Sequence, residues 1–110
     1  MITDKEANIV YFSEKILNDE YKNAFERIKQ ILDKYNVKYD FLKGTKDIWC
    51  RDYMPIQTDK GNFIQFRYEP DYLKDDLYLQ SIPKDVLKAN KLKATYSDIN
   101  LDGGDVVRCS

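Results

Sequence analysis

Seven apolar or aromatic residues, Tyr21, Ala24, Phe25, Ile28, Ile31, Leu32 and Tyr35, recur at the spacing of one helical face. A helix carrying such a stripe has to bury it, and its flanks supply the means. Asn8–Phe12 is a short β-prone run before it. Val37, Tyr39 and Phe41 alternate with Lys38 and Asp40 after it, the period of a half-buried strand. Asn18 or Asp19 can cap the helix by accepting from its free N–H groups, and Asn36 suits its end because Asn tolerates the left-handed conformation. Strand, helix and strand with short connections predict parallel pairing of the two strands across the helix.

Beyond this unit the pattern turns to short elements. Gly44–Asp52 reads as a loop. Met54–Thr58 and Asn62–Tyr68 read as a hairpin joined at Asp59-Lys60-Gly61, where Gly61 can supply a positive φ. Asp71–Gln80 is moderately helical, and Pro83 fits the first turn of a helix over Pro83–Asn90. Leu92–Tyr96 and Val106–Cys109 are expected strands. The fold class is therefore α/β (α+β), in one domain over residues 1–110, a length that supports a single core. Because the sequence ends inside a β-prone run, whose backbone groups would lack partners, it is expected to be a truncated piece.

Composition excludes several functions. Hydrophobic residues make up 43% and charged residues 34%, as in a folded globular domain. A net charge of −1 gives no general affinity for nucleic acid or anionic membrane. No apolar run approaches the roughly 20 residues of a membrane helix, and Met1–Glu6 is unlike a signal peptide. With only two cysteines, Cys50 and Cys109, a cytoplasmic setting without a disulfide framework is expected. The sequence contains no histidine, so nucleophile–histidine mechanisms and Cys/His zinc sites are closed to this chain acting alone.

Two segments carry chemistry. In Asp47-Ile48-Trp49-Cys50-Arg51-Asp52-Tyr53-Met54-Pro55, a Trp, an Arg and two Asp follow an apolar strand, where open α/β sheets place ligands. A carboxylate matches a planar guanidinium with two parallel hydrogen bonds, and an indole can cover the cation's face. The plainer reading makes Trp49 a core residue and Arg51–Asp52 part of a surface ion-pair set. In Leu101-Asp102-Gly103-Gly104-Asp105-Val106, paired glycines between carboxylates let a ligand approach the main chain. The plainer reading there is a Gly-Gly turn or a bulge before a strand. Asp98, Asn100 and Asp102 are spaced like the first ligands of a calcium loop, but the glycine and glutamate such a loop needs are missing.

In this order the two segments resemble the motifs of agmatine deiminases and bacterial peptidylarginine deiminase-like proteins, members of the guanidino-group-modifying superfamily. Asp47 to Pro55 matches Asp-Ile-Trp-x-Arg-Asp-x-x-Pro, and Leu101 to Val106 matches the acidic Gly-Gly motif. The resemblance implies a pentein-like fold, the chain forming the first module and part of the second of a five-module α/β propeller. It implies that Asp52 grips a substrate guanidinium, that Asp102 lines the same pocket, and that Trp49, Arg51 and Asp105 shape it. The ligand class is a small guanidine such as agmatine or arginine. The implied reaction is hydrolysis to a ureido product and ammonia by a Cys thiolate and a His, without metal or organic cofactor. That Cys and His belong to later modules, so this chain alone is expected to be inactive. Neither Cys50 nor Cys109 matches the nucleophile, and both read as incidental or buried thiols. Two alternatives stand beside this reading. One is a non-catalytic module that binds a guanidinium or polyamine, and the other is an α/β domain that forms a homo-oligomer through exposed sheet edges.

Overall fold

In the computed structural model, which describes residues 4–107, the helical stripe folds as α1, Lys22–Lys34. A 3-10 turn, Asp19–Tyr21, leads into it, and Asn36 follows it with φ 56°, the left-handed conformation expected there. The expected side-chain cap does not form. Asn18 instead takes the Tyr21 N–H on its backbone carbonyl at 2.9 Å, so the 3-10 turn replaces the cap.

α1 lies on a parallel pair, β1 (Val10–Ser13) and β2 (Tyr39–Leu42), in the register Val10↔Tyr39 to Ser13↔Leu42. Phe25 meets Phe12 and Phe41 edge-on, with ring centroids 5.5 Å apart in each case, and Tyr39 completes the aromatic cluster. Only part of the stripe is buried. Phe25 is covered, whereas Ile31 and Tyr35 are 59% and 67% exposed. A sheet of two strands is too narrow to cover so wide an apolar arc.

A short helical turn, α2 (Cys50–Tyr53), replaces the second half of the expected loop. β3 (Ile56–Asp59) and β4 (Asn62–Arg67) then form the predicted antiparallel hairpin, with Gly61 at φ 82°. The expected helix over Asp71–Gln80 is instead two 3-10 turns, Asp71–Leu73 and Leu77–Leu79, separated by Asp76 at φ −130°. Asp71, Asp75 and Asp76 favour turns over helix interiors because their carboxylates compete for nearby N–H groups. α3 (Pro83–Ala89) begins on its proline as expected.

The last strand is displaced. Leu92 bonds back to Leu87 O at 2.9 Å and packs against the core, so β5 begins later and runs over Thr95–Asn100, parallel to β4. No strand forms at Val106 and Val107, which follow a 3-10 turn at Gly103–Asp105; the remainder of that expected strand lies outside the described residues.

The described residues form a mixed α/β domain with three helices and two small sheets, ordered β1-β2 and β3-β4-β5. Its core joins both, through Leu42, Cys50, Tyr53, Tyr68, Leu73 and Val86. Two asparagines act as clips. Asn90 bonds both backbone groups of Lys43 at 2.9 Å, tying the end of β2 to α3. The Asn100 side chain bonds both backbone groups of Glu69 at 3.0 Å, tying the segment after β4 to the end of β5. Among the described residues, no helix is long and apolar enough to cross a membrane.

Candidate functional site

The segment after β2 is held from below. Thr45 and Ser13 share a hydrogen bond in the interior, and Lys46 N–H donates to the buried Ser81 hydroxyl at 2.9 Å. The Asp47 carboxylate then accepts from Trp49 N–H at 2.9 Å, an Asx turn that reverses the chain into α2. The Tyr53 hydroxyl closes the loop by donating to Asp47 O at 2.7 Å. Cys50 and Tyr53 thereby face the core, leaving Arg51 exposed and Asp52 half-buried.

The second motif packs directly on this turn. A Cβ built on Gly103 would stand 1.9 Å from Arg51 O and 3.1 Å from the carbonyl carbon. On Gly104 it would stand 2.5 Å from Asp52 Oδ1. The Arg51 guanidinium reaches over and donates from Nη2 to Val106 O at 2.9 Å. Gly103 therefore serves a close approach by the α2 backbone and Gly104 one by the Asp52 side chain, where the sequence suggested approach by a ligand. This contact, between residues some fifty apart in sequence, brings Asp52 and Asp102 to one place.

The carboxylates that gather there repel one another. Burial pushes the Asp102 carboxyl above its ordinary range, and the charges of Asp52, Asp105 and Asp71 push it further in that order. Burial likewise raises Asp47; its bond from Trp49 opposes this, and the Asp52 charge adds to it. Asp52 is thus the shared neighbour of both perturbed groups. Like charges held together at a surface disfavour their own ionisation and favour a bound cation. Asp47 and Asp71 were not among the candidates from sequence. No local pattern marked Asp71, whose charge reaches Asp102 only through the fold.

Trp49 is no core residue. It is 64% exposed and is the residue that opens the turn carrying Asp52. Asp105 is exposed on the 3-10 turn, and Arg51 braces the second motif instead of pairing with a carboxylate. The calcium-loop spacing has no counterpart in space. Asp98 and Asn100 lie on β5, and the Asn100 amide is committed to Glu69. Among the described residues, no group of three or more His, Cys, Asp or Glu has metal-holding geometry.

Cys50 is 8% exposed, and burial raises its thiol above the ordinary range, although bonds from Tyr53 and the backbone oppose this. A buried thiol with a raised pKa is a poor nucleophile. Cys109 lies outside the described residues. Comparison with protein-family models, curated proteins and solved structures found no match to this chain.

Proposed function

We propose that this chain is the N-terminal guanidinium-binding portion of a hydrolase of the agmatine deiminase kind, with Asp52 and Asp102 as its gripping carboxylates. The reading takes the chain as the first module and part of the second of a pentein-like propeller. The single observation that supports it most is the direct contact of the two motifs, Gly103 on the Arg51 carbonyl with Asp52 beside Gly104.

In this role the carboxylates fix the guanidinium while charge repulsion among them supplies the drive for cation binding. Trp49 offers a flat surface beside the cation. The chemical step, attack on the guanidinium carbon with loss of ammonia, needs a thiolate and a histidine from elsewhere, since this chain has no histidine and Cys50 is buried. Calorimetry with agmatine and arginine tests the reading: binding is expected, and Asp52→Asn is expected to abolish it. Absence of agmatine binding to the folded chain would refute it. The purified chain is expected to release no ureido product from agmatine.

A second reading, a non-catalytic guanidinium or polyamine module, draws on the missing histidine and the inert Cys50. The two readings part at the DNA beyond codon 110. An open frame encoding a His-x-Asp segment and a late Cys supports the enzyme, and a stop codon supports the module.

A further inference from the structure

Next to the contact of the two motifs lies a groove of about 760 Å³, lined by β1 and its lead-in, by α2, by β3 and β4, and by Gly103 and Val106. Its walls are mainly apolar, with Val10, Leu42, Ile56, Phe63 and Leu92 among them, beside the polar Asn8 and Gln57. Its size falls within the range of about 300–1,000 Å³ typical of small-molecule sites, which pair apolar walls with a few charged groups.

The charges are one-sided. Among the described residues lining the groove, the charged ones are Arg51 and Lys93, both cations. None of Asp47, Asp52, Asp102 and Asp105 lines it. A guanidinium has five N–H donors, of which Val106 O takes one, so Arg51 can serve the groove while holding the second motif. Successive residues of α2 thus point to opposite environments, Asp52 to the acidic cluster and Arg51 to the cationic groove.

We propose that this groove binds a small organic acid, a single carboxylate on an alkyl or aryl body, with the body against Val10, Ile56, Phe63 and Leu92 and the carboxylate between Arg51 and Lys93. The site is independent of the guanidinium reading. Its occupant carries the opposite charge, and the groove shares Arg51 and Gly103 with the motif contact but none of its carboxylates.

Calorimetry of the purified chain with decanoate, decanol and decylamine tests this. Decanoate is expected to bind at one equivalent, decanol about tenfold or more weaker for want of the charge-assisted bond, and decylamine weaker still. Lys93→Glu should weaken decanoate about tenfold while leaving decanol unchanged, and Lys84→Glu, on α3 outside the groove, should alter neither. Ile56→Trp, which fills the groove, should abolish binding of all three. Equal affinity for the acid and the alcohol, binding without fixed stoichiometry, or a Lys93→Glu variant that binds decanoate unchanged would overturn the proposal. So would sedimentation showing that a second copy of the chain occupies the groove and excludes decanoate.

Discussion

The carbonyl oxygen of Arg51 stands 1.9 Å from the point where a side chain on Gly103 would begin. That oxygen belongs to the backbone of α2 and has no rotamer to move into, so Gly103→Ala must push two segments apart. A loss of about 3 kcal/mol is expected, measured by urea denaturation. Gly104→Ala meets only the end of the Asp52 side chain, which can rotate away, so about 1 kcal/mol or less should be lost. It should nonetheless weaken agmatine binding, because the displaced group is the carboxylate assigned to the guanidinium. Stability and binding should therefore separate between the two neighbouring glycines.

Asp102 has its carboxyl raised, so the folded state holds that proton more tightly than the unfolded chain does. The stabilisation from this group is full below the ordinary value of 3.8 and is lost as pH rises through the raised folded value. At neutral pH the ionised group destabilises the fold. Asp102→Asn should thus raise the urea midpoint at pH 7 and give a smaller gain at pH 4. Agmatine binding by the unmodified chain should strengthen over the same rise in pH, since the cation requires the carboxylates ionised.

Cys50 should be slow to react with a thiol reagent at pH 7.5 in the folded chain and fast after denaturation. Measuring this in a Cys109→Ser background assigns the signal to one residue. Fast labelling in the native state would show that the thiol is neither shielded nor inert.

Leu42 and Ile31 should differ sharply as alanine substitutions. Leu42 is 1% exposed within the core that joins both sheets, so Leu42→Ala should cost about 2–5 kcal/mol. Ile31, on the exposed part of the α1 stripe, should cost about 0.5 kcal/mol or less. Thermal denaturation of both variants checks the pair.

What could be read in the sequence was local and periodic. The stripe from Tyr21 to Tyr35 gave α1, the alternation from Val37 to Phe41 gave β2, and Gly61 marked the hairpin, because each signal depends on nearby residues alone. Failures came where tertiary contacts overruled local preference. Leu92 belongs to a β-prone run, yet its place in the core delays β5 to Thr95. The stripe itself foretold a helix but not how much of it the sheet would cover. In the site, the residue types of both motifs were legible, whereas the reason for Gly103 was not. It depends on a carbonyl some fifty residues earlier, which no local pattern encodes. Asp71 was missed on the same ground, since its nearness to Asp102 is a property of the fold.

Trp49 is the one tryptophan in the chain, and its indole is largely open to water. The acidic cluster therefore comes with its own fluorophore. Emission from the folded chain should be red-shifted and readily quenched by acrylamide. A cation settling beside Asp52 should alter both, giving an optical titration of this site without a dye. Trp49 does not line the groove, so ligands entering there should leave that signal nearly still, and one residue's light can tell the two sites apart.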